Sequence, residues 1–183
     1  GDEPRELEHR AVYRVEPTGE VNEFTHALSK PNGIALSPDE RTLYVAEHDN
    51  GTDRIDPNAP LPDPGPMKIY AFTLNLHGQA EGGPRQIIDF GVESGCDGMT
   101  VDNAGRLYLA LRMARRPGVL VLDGNDGREV GFIPTGPGDQ KRGEAVGLPS
   151  NAEFGRGDER NVLYVTVDQG LWRITLRSSG RRD

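Results

Sequence analysis

Three segments of the chain follow one plan, and this repeat constrains the fold more than any other feature. Each segment has an alternating run headed by a polar residue, then a polar turn, then a second apolar run. The segments are residues 31–47 (PNGIALSPDERTLYVAE), 95–110 (GCDGMTVDNAGRLYLA) and 149–167 (PSNAEFGRGDERNVLYVTV). Self-similarity at a period of roughly 20–50 residues is typical of repeat architectures. Each motif therefore has to be interpreted as part of a repeating unit.

Short strands separated by turns make up the units. The chain contains 24 Gly and 14 Pro, which cluster between the alternating runs and indicate many tight turns. The strands number two, four, four and three in successive units, and no amphipathic helix is predicted. This pattern predicts an all-β fold, a β-propeller with two whole and two partial blades. A sandwich or an open meander is the alternative, but neither explains a polar residue at the head of each unit.

We expect one domain over residues 1–183. It divides into a partial blade (1–30), a blade with an acidic loop at 49–66 (31–95), a second blade (96–148) and a partial last blade (149–183). A ring closes with about four to eight blades. We therefore expect the chain to be a fragment whose remaining blades come from a missing N-terminal part, or to be completed by partner segments.

Charge and composition exclude several classes of partner. Lys plus Arg is 21 and Asp plus Glu is 29, so the net charge is −8. Phosphates would be repelled, which argues against nucleic acid and against an anionic membrane surface. No apolar run approaches the roughly 20 residues needed to span a bilayer. The compartment is left open between the cytoplasm and the periplasm or secretion.

Three polar residues head the repeats and are the candidate site. Aligned by sequence, Asn32, Asp97 and Asn151 occupy one position. Residues that head the inner strands of successive blades face one axial channel, so we expect these side chains to converge. Amide and carboxylate oxygens suit calcium, magnesium or manganese. The alternative is that Asn32 and Asp97, each followed by glycine, simply form turns with positive φ.

Other candidates have two interpretations each. Ser150 and Asn151 either line the substrate pocket or cap a turn. His48 either contacts substrate from a lid over the channel or belongs to a solvated loop. Cys96 lies beside Asp97, but no Cys-His pattern supports a thiol nucleophile. A small buried filler is the interpretation we favour for Cys96.

The motifs PNGIALSPDERTLYVAE, CDGMTVDNAGRLYLA, LPSNAEFG and LWRI resemble those of the gluconolactonase family, which includes regucalcin. The resemblance implies a six-bladed β-propeller with one axial divalent metal ion. Calcium is the usual ion, with magnesium, manganese and zinc as alternatives. The resemblance also implies hydrolysis of a small sugar lactone. Asn32 matches the family's metal-binding asparagine, and Asp97 matches the aspartate that binds the metal and acts as catalytic base.

The chain departs from the family pattern in two respects. The family's metal-binding glutamate and a substrate-contacting Asn/Arg stretch have no counterpart here. We therefore expect half a site and no activity in the isolated fragment. The predicted function is a metal-dependent hydrolase that opens sugar lactones, with Asp97 taking a proton from the attacking water. The alternatives are a non-catalytic propeller that binds a partner and a related metal-dependent esterase.

Overall fold

The computed structural model describes residues 9–52, 58 and 60–181. Within these residues the chain forms four antiparallel sheets in which strands adjacent in sequence pair with each other. The first sheet contains β1 (Val12–Val15) and β2 (Val21–Thr25). The second contains β3 (Pro31–Leu36), β4 (Thr42–His48), β5 (Met67–Thr73) and β6 (Arg85–Asp89).

The third and fourth sheets follow the same up-and-down order. The third contains β7 (Cys96–Val101), β8 (Arg106–Leu111), β9 (Gly118–Asp123) and β10 (Glu129–Pro134). The fourth contains β11 (Pro149–Phe154), β12 (Val162–Val167) and β13 (Gly170–Thr175), with a short 3-10 turn at Gly157–Glu159. The sheets thus have two, four, four and three strands, as the sequence predicts, and the all-β prediction is confirmed.

Apolar side chains between successive sheets form the core. Tyr44 and Ile69 of the second sheet pack in one cluster with Leu107 and Leu109 of the third. A second cluster joins the third sheet to the fourth, and a third joins the first sheet to the second. Leu107 and Leu109 are fully buried, so truncating either to alanine should cost about 2–5 kcal/mol. Sheets stacked face to face in chain order are the arrangement of propeller blades.

The three inner strands β3, β7 and β11 lie side by side, with β7 in the middle. Each is the first strand of its sheet in chain order, so the head of each repeat unit lies at the centre of the assembly. This places equivalent residues of successive units next to one another.

A hydrogen-bond network around a buried carboxylate links the segment after β13 to the third sheet. Asp102 is fully buried and accepts hydrogen bonds from the backbone of Ala104 and from the Nε of Arg106, at 2.9 Å and 2.7 Å. Tyr108 donates its hydroxyl to Asp102 and is also bonded to Ser178, which follows β13. The segment after β13 is thereby held against the blade that carries Asp97.

The loop predicted at 49–66 lies partly outside the described residues. At its base, the backbone of Asp49 bonds to Pro66 and Gly65 bonds back to Asp49, at 3.2 Å and 2.9 Å. The described part of the chain contains no helix with the length and apolarity needed to cross a membrane.

Candidate functional site

Each inner strand contains one extra residue near its start, which forms a β-bulge. In β3, Asn32 and Gly33 lie between the pairs that Pro31 and Ile34 make with β4, and they face a single residue of that strand. In β7, Asp97 and Gly98 stand in the same relation to β8. The register of β11 also shifts by one residue, at Ser150. Bulges redirect side chains and are common beside active sites.

The bulges bring the predicted residues to one cavity of about 370 Å³. Its polar lining consists of Asn32, Asp97, Ser150, Asn151 and Glu153. The expectation that the heads of the repeats converge therefore agrees with the structure. Glu153 was not predicted, although it could have been, because it lies two residues beyond Asn151 on an alternating strand.

The structure corrects one equivalence. Leu43, Leu107 and Leu163 pair with the last residues of β3, β7 and β11. The residue four positions before the last one is Asn32 in β3, Asp97 in β7 and Ser150 in β11. Asn151 is therefore not the equivalent residue. The sequence alignment was wrong at this point because it matched asparagine with asparagine, while the turns between the paired strands differ in length. Asn151 instead occupies the position that glycine holds in the other two units.

Gly33 and Gly98 serve close packing and do not form turns. Both lie inside strands, and neither has a positive φ. A Cβ at Gly33 would collide with the backbone oxygen of Asp97, and a Cβ at Gly98 would collide with the Asn151 side chain. The turn interpretation of these dipeptides is therefore wrong. Glycine is required here because the three inner strands approach one another closely.

An arginine that the motifs did not indicate lies beside Asp97. The Nε of Arg112 is 3.8 Å from the Oδ2 of Asp97, and the Asp97 side chain is 27% exposed. Arg112 follows directly after β8, where its backbone N–H bonds to Gly95. The antiparallel register of Cys96 with Leu111 could have indicated this neighbour. The long separation leaves the carboxylate accessible to other cations.

His48 is the last residue of β4 and is 6% exposed, so the solvated-loop interpretation is wrong. Its Nδ1 lies 2.9 Å from the backbone oxygen of Cys96 and must donate, since a carbonyl oxygen only accepts. His48 does not line the cavity of Asn32 and Asp97. It contributes, with Arg112, to a second cavity of about 180 Å³. A direct contact between His48 and substrate stays a prediction.

Cys96 is a buried filler, as predicted. Its side chain is 1% exposed, and its Sγ lies 3.2 Å from the backbone oxygen of Gly98. Burial raises the pKa of the Cys96 thiol, and the negative charge of Asp97 raises it further. A thiol with a raised pKa is a poor nucleophile near neutral pH.

The residues of the larger cavity fit a hard divalent cation. The described residues of its polar lining offer oxygen ligands and neither imidazole nor thiolate, which suits calcium, magnesium or manganese better than zinc. Two of the oxygens are already used, since Glu153 accepts from Thr100 at 2.9 Å and Asn151 accepts from the backbone of Ala152 at 2.9 Å. Among described residues, the Asn32 amide has no hydrogen-bond partner, and Asp97 has only the distant Arg112. Within the described chain, the polar groups of the cavity with the fewest short hydrogen bonds are therefore those of the two predicted ligands.

The sequence is similar to known gluconolactonases. The profile described as the SMP-30/gluconolactonase/LRE-like region matches residues 1–169. The chain is 28% identical over 182 residues to a gluconolactonase from Zymomonas mobilis, and the match covers 96% of this chain and 43% of the relative.

Solved structures show the same fold. A gluconolactonase from Xanthomonas campestris superposes with a TM-score of 0.66 at 30% identity, covering 93% of this chain and 46% of the other. A regucalcin from Agrobacterium tumefaciens, described as a calcium-binding protein, superposes with a TM-score of 0.68 at 19% identity, covering 94% and 54%. At that identity the likeness concerns the fold alone. The chain spans about half the length of these relatives.

Proposed function

This chain belongs to the SMP-30/gluconolactonase/LRE-like family, and on that premise we propose that it carries part of a metal-dependent lactone hydrolase site. The observation that supports the proposal most directly is the repeated bulge. The bulge directs the side chains of Asn32 and Asp97 toward one cavity. Within the described chain, the side-chain oxygens of these two residues make no other short hydrogen bonds.

Asp97 is the proposed general base. Opening a lactone requires a base for the attacking water and positive charge near the carbonyl oxygen. Within the described chain, no donor lies at short range from Asp97, whereas the Oε1 of Glu153 accepts from Thr100 and from the backbone of Phe154. A carboxylate free of strong donors can accept a proton from water.

The proposed role of Asn32 is to hold the metal ion and orient the substrate, and Asn32 does not transfer a proton. Its amide oxygen is a ligand or a hydrogen-bond acceptor, and its amide nitrogen can donate to a substrate oxygen. A divalent cation, calcium first and magnesium, manganese or zinc as alternatives, would polarise the lactone carbonyl and acidify water when bound. Two protein ligands are fewer than the roughly six to eight oxygens that calcium takes. The remaining ligands would come from further blades and from water.

Ser150 and Asn151 are proposed to contact the hydroxyl groups of the substrate. Both line the cavity with Asp97, and Ser150 is bonded at 2.8 Å to the Thr166 hydroxyl, which fixes its position. A sugar lactone carries several hydroxyls, so neutral donors and acceptors at the cavity wall match its chemistry. Arg112, whose Nε lies 3.8 Å from the Oδ2 of Asp97, can hold the carboxylate in place.

The test is hydrolysis of δ-gluconolactone by the full-length protein, followed with a pH indicator against the spontaneous rate. Activity should disappear after treatment with a chelator and return with calcium or another of the four ions. An absence of hydrolysis above the spontaneous rate with every ion would overturn the proposal. Hydrolysis of a simple aryl ester without hydrolysis of the lactone would instead identify a related esterase.

A further inference from the structure

Two histidines and a glutamate meet on the first sheet, away from the cavity of Asn32 and Asp97. The Nε2 of His9 lies 2.8 Å from one carboxylate oxygen of Glu23, and the Nδ1 of His26 lies 2.5 Å from the other. The three potential ligand atoms all lie within 4.8 Å of one another. None of the three residues lines either cavity described above.

The strand pairing sets this cluster. Glu23 lies in β2, directly opposite Tyr13 of β1. His9 precedes β1 and His26 follows β2, so the antiparallel pairing brings the two histidines to the same end of the hairpin. Arg10 strengthens this arrangement by donating to the backbone oxygen of Ser29 at 3.2 Å. The two imidazole rings are 4.6 Å apart between centroids, close enough to share one ion.

We propose that His9, Glu23 and His26 bind one divalent ion that favours imidazole ligands, with zinc as the expected ion. Two imidazole nitrogens and one carboxylate oxygen form a ligand set typical of zinc, and a fourth tetrahedral position is left for water. Ligand atoms of a tetrahedral site with bonds of about 2.0–2.1 Å lie roughly 3.3 Å apart. The two N···O separations, 2.8 Å and 2.5 Å, are shorter than that value, so the side chains would have to rotate slightly apart to hold an ion between them. This site contains two nitrogen ligands, whereas the described residues of the cavity at Asp97 offer only oxygen ligands.

Hydrogen bonding alone is the competing explanation for the cluster. The hydrogen bond from His26 lowers the pKa of the Glu23 carboxyl, and the bond from His9 lowers it further. Under that explanation the histidines are donors to a carboxylate and need no ion. The two accounts differ in what happens to the ring nitrogens when zinc is added.

The first experiment is a titration of the untagged chain with ZnCl₂, followed by imidazole ¹⁵N NMR. The chain has four histidines, which makes the spectrum assignable. We expect the signals of His9 and His26 to shift together and to saturate at one equivalent of zinc. His48, which is buried against Cys96, and His77 should be unchanged. Shifts confined to His48 or His77, or no saturable shift, would overturn the proposal.

The second experiment compares variants by zinc affinity in competition with a chromogenic chelator. His9→Ala and His26→Ala should each weaken binding at least tenfold, and Glu23→Gln should weaken it less because one oxygen ligand remains. His77→Ala is the matched control and should leave the affinity unchanged. Equal affinities across all four variants would refute the site. The NMR titration of the wild-type chain decides the matter if a variant fails to fold.

A third measurement separates this site from the proposed function. Excess CaCl₂ should not displace zinc from His9 and His26, because calcium prefers oxygen ligands. The Asp97→Asn variant should bind zinc here as the wild type does. The site can therefore exist whether or not the protein hydrolyses lactones.

Discussion

The Nδ1 nitrogen of His48 donates a 2.9 Å hydrogen bond to the backbone oxygen of Cys96, the residue that immediately precedes Asp97. The last side chain of β4 thereby supports the backbone at the head of β7. His48 is buried, so this bond is shielded from water. We therefore expect the orientation of Asp97 to depend on a residue of the neighbouring blade.

Replacement of His48 tests this support. His48→Phe leaves the Cys96 oxygen buried without a donor, which should cost about 1–3 kcal/mol of unfolding free energy. His48→Gln keeps an N–H donor and should lose less. The measurement is urea unfolding of both variants, together with the calcium affinity of the full-length protein that carries each substitution. If the two variants behave alike in both assays, the hydrogen bond does not position Asp97.

The roles of Asp97 and Asn32 can be separated by a calcium titration of lactone hydrolysis in the full-length protein. Asp97→Asn keeps an oxygen atom and nearly the same volume but removes the proposed base, which should cost about 10²–10⁴ in rate. Asn32→Ala removes a proposed ligand and no proposed base, so excess calcium should restore much of its activity. Asp126→Asn, on an exposed turn of the third sheet, is the control. Full recovery of Asp97→Asn at high calcium would mean that Asp97 is a ligand only.

Gly98→Ala tests the close approach of the inner strands. The added methyl would collide with the side chain of Asn151 and the backbone of Ser150, so we expect a loss of about 1–3 kcal/mol in unfolding free energy. Gly131→Ala is a matched control in β10, where the nearest atom to the new Cβ is 3.7 Å away. The control should change stability little or increase it by up to about 1 kcal/mol. Equal effects of the two changes in urea unfolding would contradict the packing argument.

The reactivity of Cys96 follows from its burial. Because burial and the charge of Asp97 raise the pKa of this thiol, its reactive thiolate is scarce in the folded chain. At pH 8, a disulfide reagent such as dithionitrobenzoate should modify the folded protein at least about tenfold more slowly than the urea-unfolded protein. Rapid modification under native conditions would show that the head of β7 opens frequently.

The repeat in the sequence was sufficient to predict the sheets and the placement of Asn32 and Asp97 at one cavity. Both predictions depend on the repeat of one residue pattern along the chain, which is visible in the sequence itself. The limit of that argument is shown by the fourth sheet, where the residue equivalent to Asn32 and Asp97 is Ser150 and not the predicted Asn151. Residue type suggested one alignment, whereas the distance to the paired leucines determines the actual one.

Features that depend on contacts between distant residues were not predictable. Arg112 reaches Asp97 only because the register of β7 with β8 is known. His9 and Glu23 are separated by 13 intervening positions and meet only through the pairing of β1 with β2. The glycines that follow Asn32 and Asp97 were recognised, but their purpose was not. A dipeptide typical of turns does not reveal that a neighbouring strand occupies the space of the missing side chain.

The contrast between β8 and β13 implies a gradient in amide hydrogen exchange. Residues 107–111 of β8 are all buried and bonded to strands on both sides, so their amides exchange only when the blades separate. All six residues of β13 are exposed, and within the described chain this strand pairs only with β12. Deuterium should therefore enter β13 within the earliest time points and β8 last. The order of labelling would measure how tightly each layer of the protein is held.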